Sequence, residues 1–121
     1  MIKGKYIYLG CNLYKFVNPH KFDLSEAVSL INVMTGEFAR HRDGIIIDSS
    51  YEADELFLYD SSFKFQVIDN SVTLFCTNPG MQMHYIADCN GVLRIVQGEQ
   101  FSNYLSLFPI LDKEATFVKD S

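Results

Sequence analysis

Tryptophan is missing from these 121 residues, proline occurs three times, and the three cysteines Cys11, Cys76 and Cys89 stand at no paired spacing. An odd, scattered set of thiols excludes both a disulfide framework and a Cys-x-x-Cys redox or metal motif. The seven glycines are dispersed, with no strand–loop–helix pattern of the kind a phosphate-cradling loop requires. Cations are few: ten Lys and Arg against fifteen Asp and Glu leave a net charge of −5. That balance disfavours direct nucleic-acid binding, which needs a basic patch to neutralise phosphates. No apolar run approaches the ~20 residues of a membrane-spanning helix, so no membrane partner is expected. Tyr6-Ile7-Tyr8-Leu9 is too short for the apolar region of a signal peptide and is followed by no small-residue cleavage site, which makes a cytoplasmic location the expectation.

What is present is apolar and aromatic. Hydrophobic residues make up 48% of the chain and aromatics 14%, from ten Phe and seven Tyr, which argues for a folded core and against disorder. A chain of this length buries roughly two-thirds of its unfolded surface as one unit. With no repeat, linker or low-complexity tract to divide it, the expectation is a single globular domain over 1–121.

Three turn signals divide residues 56–97: Asp69-Asn70, Asn78-Pro79-Gly80 and Asn90-Gly91. Asn-Gly is the strongest of them, because both central positions of a tight hairpin turn need φ > 0. Two-residue loops at the first and last signals set Val67 opposite Val72, Phe65 opposite Leu74, Ala87 opposite Arg94 and Tyr85 opposite Val96. A turn centred on Pro79 and Gly80 sets Cys76 opposite Met83 and Leu74 opposite Tyr85. The three registers agree in placing Phe63, Phe65, Val67, Val72, Leu74, Cys76, Met83, Tyr85, Ala87, Val92 and Val96 on one face, which a buried core would pin. The opposite face carries Lys64, Gln66, Thr73 and His84, together with an apolar set, Ile86, Leu93 and Ile95, that offers a patch for self-association. Leu56 to Tyr59 extends this antiparallel meander to about five strands within 55–97, contributing Leu56 and Leu58 to the buried face.

On either side, Lys3 to Leu9 and Leu13 to Val17 alternate as N-terminal strands, and Ile45-Ile46-Ile47 reads as a short strand entered through Asp43-Gly44. Residues 37–42 read as irregular. Asp23 with Glu26 resembles a capping box, and Leu24, Ala27, Val28, Ile31 and Met34 recur at helical spacing up to Gly36, predicting an amphipathic helix over 23–35. Phe101, Tyr104, Leu105 and Phe108 predict a second helix over 99–108, stopped by Pro109. The expected fold is therefore α+β, a meander packed by two helices.

A search for chemistry returns little. None of His20, His41 and His84 has a His or Cys at ligand spacing, and in the register above His84 points away from Cys76 and Cys89. Those two cysteines lie about 20 Å apart along their strands at ~3.3 Å per residue, too far to bridge. Asp54 and Glu55 are adjacent carboxylates, but acid–base catalysis needs convergence in a cleft. No catalytic residue, metal site or cofactor is expected, and the chain is read as a non-enzyme.

Binding is the remaining class. Asp43, Asp48, Glu52, Asp54, Glu55 and Asp60 fall in one stretch without a Lys or Arg, interleaved with Tyr51, Phe57 and Tyr59. Carboxylates steer association with a basic protein and aromatic anchors supply interface energy. The expected contact set is Asp48, Tyr51, Glu52, Asp54, Glu55, Phe57, Tyr59 and Asp60. In size, acidity and aromatic content the chain looks like the immunity proteins that neutralise bacterial toxins, which implies a stoichiometric inhibitor of a basic partner. The alternative is a small-ligand-binding or regulatory domain with a pocket between helix and sheet.

Overall fold

A computed structural model describes residues 2–20, 26–81, 84–97 and 106–112. Among the described residues strand accounts for 55% and helix for 6%, which overturns the α+β expectation: they form a closed seven-stranded antiparallel β-barrel with one short helix. In chain order the described strands are β1 (Tyr6–Leu9), β2 (Asn12–Val17), β3 (Ala27–Asn32), β4 (Phe38–Arg42) and β5 (Ile45–Ser49). Helix α1 (Glu55–Asp60) follows, and then β6 (Phe63–Ile68), β7 (Ser71–Cys76), β8 (His84–Cys89), β9 (Val92–Gln97) and β10 (Phe108–Pro109).

The barrel closes in the order β3-β4-β5-β9-β8-β7-β6, with β6 returning to β3 through Ala27↔Lys64 and Val28↔Phe63. The β1–β2 hairpin continues from β3, and a bridge from Tyr6 to Leu111 together with β10 on β7 ties it back to the barrel. Closure leaves few unpaired strand edges, which is how an all-antiparallel fold avoids edge-to-edge association. The core gathers Val28 and Leu30, Phe63, Val72 and Leu74, and Ile86, with Ile7, Leu9, Tyr14 and Phe16 from the hairpin.

Local turn chemistry explains the hairpins. Asp43 and Gly44 (φ +52° and +80°) and Asn90 and Gly91 (φ +55° and +88°) supply the paired positive φ values of tight two-residue turns. The β6–β7 and β8–β9 registers are those expected from the turns: Val67 faces Val72, Phe65 faces Leu74, Tyr85 faces Val96 and Ile86 faces Ile95.

The β7–β8 register is displaced by one residue. The turn at Pro79-Gly80 forms, with Met81 N–H donating to the Asn78 carbonyl at 3.0 Å, but Tyr85 faces Phe75 instead of Leu74. Because side chains alternate with a period of two, this single step exchanges the faces of β8 and β9 relative to β7. Ile86 therefore points into the core beside Leu74, and Leu93 and Ile95 pack against it. These three residues form no exposed patch. Met83, the expected partner of Cys76, lies outside the described residues.

The described parts of both expected helices are not helical. Where residues 23–35 are described, Ala27–Asn32 is strand β3, buried at five of its six positions. A strand covered on both faces has no period of two to display, so helical spacing of its apolar residues was coincidental. Gly36 (φ +76°) closes the β3–β4 hairpin, where the Asn32 side chain accepts the Met34 N–H at 2.8 Å, and it caps no helix. Asp23 and Leu24 lie outside the described residues, as do 99–105 of the second helix; its end, Phe108, is strand.

Helix α1 stands where the first meander strand was expected. Asp54 is its N-cap, its carboxylate accepting the Phe57 N–H at 2.8 Å, and Glu55 adds negative charge in the first turn. Residues 37–42, read as irregular, contain β4. The meander is thus four strands, β6 to β9, preceded by α1.

Two substitutions on β7 test its two faces. Leu74→Ala removes a fully buried side chain and is expected to lower unfolding free energy by ~2–5 kcal/mol in urea titration. Thr73 is also fully buried, on the opposite face, and its hydroxyl has no protein partner. Thr73→Val replaces that hydroxyl by a methyl group and is expected to raise stability by about 1 kcal/mol; a loss of similar size would show that the hydroxyl is satisfied.

Candidate interaction face

Between β5 and β6 the chain leaves the barrel wall, and residues 50–56 are exposed without interruption. This excursion carries Tyr51 and Leu56, 46% and 59% exposed, among Glu52, Asp54 and Glu55. A short helix has little intrinsic stability, so its surroundings must hold it.

Two devices do so. The first is aromatic: Phe57, fully buried, meets Phe38 of β4 edge-to-face at 6.0 Å and Tyr51 at 5.6 Å, while His20 lies 4.4 Å from Tyr51 and 5.7 Å from Phe38. The Arg40 guanidinium lies over the Phe57 ring at 4.9 Å, a cation–π contact in a desolvated setting. The second is ionic. Buried Arg40 donates from Nη2 to Asp60 Oδ2 at 2.8 Å and reaches the half-exposed Glu52 at 3.5 Å.

The other oxygen of Asp60 accepts from Asn78 Nδ2 at 2.8 Å and lies 3.2 Å from His41 Nε2. His41 Nε2 is also 2.7 Å from Asn78 Oδ1. Both neighbours of that nitrogen are acceptors, so it carries the proton and donates to them. Nearby, the Thr77 hydroxyl reaches the carbonyls of Tyr59 and Ser62 at 3.0 Å each, joining the end of α1 to the end of β7.

The expected contact residues therefore separate into two groups. Tyr51, Glu52, Asp54 and Glu55 are exposed together, although Asp54 is engaged as the N-cap and Glu52 touches Arg40. Phe57 and Asp60 are buried, and Tyr59 is half-buried. Asp48 lies elsewhere, on the core side of β5, accepting from the Tyr14 hydroxyl at 2.6 Å and Asn32 Nδ2 at 2.8 Å. Leu56 is an exposed member that alternation had assigned to the core. Arg40, His41 and Asn78 were also missed; the carboxylates were read as a cation-free stretch, and only the tertiary fold brings Arg40 to them.

Among the described residues no three His, Cys, Asp or Glu side chains are grouped to hold a metal. The displaced β7–β8 register puts His84 on the same side as Cys76, contrary to the parity expected, yet without forming such a group. The cysteines are free, with Cys11 exposed and Cys76 buried. Burial, followed by the nearby Asp60 carboxylate, pushes the Cys76 thiol up to about 12. Burial and the Asp48 carboxylate likewise raise Tyr14. No helix among the described residues is long and apolar enough to cross a membrane. No known family model matches the chain, and no curated protein matches it.

Two measurements probe this network. Arg40→Met leaves Asp60 buried without its cation and is expected to cost ~3–5 kcal/mol, whereas Arg40→Met combined with Asp60→Leu should recover much of that loss. A double variant whose cost equals the sum of the Arg40→Met and Asp60→Leu costs would mean the pair is not coupled. The second is alkaline stability. Below pH 9.0 the Cys76 thiol is neutral in both states; above it the unfolded thiol ionises while the folded one does not, so stability falls as pH rises toward about 12. Unfolding free energies from urea titration at pH 8 and 10.5 should differ by about 1–2 kcal/mol more in wild type than in Cys76→Ala, with Tyr14 adding to the decline in both proteins.

Proposed function

We propose that the protein is a protein-binding module that presents the excursion 50–56 to a partner with a basic surface. The observation that carries this reading is the combination of two exposed apolar anchors, Tyr51 and Leu56, with Glu52 and Glu55 on a segment fixed from beneath by Phe57 and the Arg40–Asp60 pair. Interfaces favour this composition. Aromatic and aliphatic anchors provide the affinity, flanking charges provide steering, and rigidity lowers the entropy lost on association. A partner seated here meets carboxylates with no exposed cation among residues 50–56, so its complementary surface carries Lys or Arg.

The test is affinity capture from the native cell, using wild type in parallel with a Glu52→Lys/Glu55→Lys/Leu56→Ala variant whose fold is verified by its thermal transition. The wild type should retain a basic protein in fixed stoichiometry, the variant should lose it, and retention should weaken between ~50 and ~500 mM salt. A partner held equally by both proteins, or an acidic one, overturns the proposal.

A further inference from the structure

We propose that the gap between β5 and β9 is a binding site for a small organic cation, an aliphatic amine or guanidine with an apolar body. The two strands meet at the single pair Ile45↔Arg94, with Ile95 N–H donating to the Gly44 carbonyl at 2.9 Å. Beyond that pair the ladder stops, and a cavity of about 380 Å³ opens between Ile46–Asp48 on one side and Gly91–Leu93 on the other. The tip of the β1–β2 hairpin, Leu9 to Asn12, forms its third wall. The volume lies in the range of small-molecule sites, and the mouths of β-barrels are a common place for them.

The chemistry of the lining selects the ligand. Leu9, Ile46, Val92 and Leu93 make the walls apolar, and Asp48 is the one charged residue among the described residues that line the cavity. Its two oxygens each receive one neutral donor, the Tyr14 hydroxyl and the Asn32 amide, which fixes the carboxylate's orientation and leaves each oxygen a further lone pair. No cation among the described residues forms an ion pair with it. Arg42 and Arg94, the cations nearest by register, flank Ile45 on the outer face of the wall, whereas Asp48 is on the core side with Ile46.

A half-buried carboxylate held by neutral donors in an apolar cleft keeps an unneutralised charge where solvation is poor. An ammonium or guanidinium entering the cleft adds a charge-assisted hydrogen bond to that carboxylate, and its apolar body covers the walls. An anion would meet the carboxylate head-on. The site is separate from the excursion 50–56, because the Asp48 side chain lies on the core side of β5 and Tyr51 and Leu56 are exposed outside it.

Hexylamine is the probe, with hexanol as its uncharged analogue and hexanoate as its opposite. Titration followed by NMR should show hexylamine perturbing Leu9, Ile46 and Leu93, binding roughly tenfold more tightly than hexanol, with no binding of hexanoate. Bound hexylamine should also slow alkylation of Cys11, at the rim, by N-ethylmaleimide. Asp48→Asn should bring hexylamine down to the affinity of hexanol. Equal binding of hexylamine and hexanol by the wild type overturns the proposal, as does unchanged hexylamine affinity in a folded Asp48→Asn protein. If that variant does not fold, the wild-type comparison of the two ligands decides alone.

Discussion

The Asp60 carboxylate is where the additions to the barrel are tied to its wall. It terminates α1, neutralises Arg40 from β4, and joins His41 and Asn78 in one hydrogen-bonded group. Desolvating a carboxylate and a guanidinium is costly, and a single 2.8 Å contact between them does not by itself guarantee a net gain in stability. What the pair does secure is arrangement. Among the described residues Asp60 is the buried carboxylate that meets Arg40, so the observed docking of α1 is what places a buried anion beside it. Phe57 then completes the aromatic group with Phe38 and Tyr51, and a helix of six residues persists where neither propensity nor length would sustain it.

A second constraint is the offset between β7 and β8. Each neighbouring hairpin has a register fixed by its own turn, so the offset cannot be absorbed locally and is passed on to both strands of the β8–β9 hairpin. Ile86, Leu93 and Ile95 are turned inward as a result, and Val92 outward, where it is 43% exposed. The consequence for stability is favourable: the alternative register would have placed Ala87 and Arg94 among the residues facing the core. Larger apolar side chains occupy the interior, and the polar members of β9, Arg94 among them, face solvent.

How much of this was legible in the sequence depended on how local the cause was. Asn90-Gly91 and Asp69-Asn70 dictate their hairpins through backbone conformation alone, and those registers were readable to the residue. Strand β3 was not, because partners on both edges and cover on both faces remove the alternation by which a strand is recognised; Ala27, Val28 and Ile31 then match a helical template equally well. Helix α1 was hidden for the opposite reason: six residues hold fewer than two turns of periodicity, and Leu56 and Leu58 alternate as in a strand. Its N-cap, Asp54 followed by Glu55, was visible but was read as part of an acidic run. The candidate face was half legible, since composition identifies its carboxylates but only the fold distinguishes exposed Glu55, and Glu52 exposed at the edge of Arg40, from buried Asp60, which pairs with Arg40 at 2.8 Å.

A closed antiparallel ring leaves little for another molecule to recognise where its ladders are continuous and its larger apolar side chains point inward. Recognition must then use the places where the chain departs from the ring. Two departures are prominent, and both begin on β5. At its start the ladder to β9 lasts for one pair and opens into a cleft around Asp48; at its end the chain leaves the wall to form 50–56 and α1. The physical reason is shared. Strand β5 pairs with β4 along its whole length through five consecutive residues, so it is firmly held on one edge and has no structural need of a full partner on the other. That asymmetry allows β5 to support a cleft and an excursion while the opposite wall, β6 with β7, stays continuously paired through six residues.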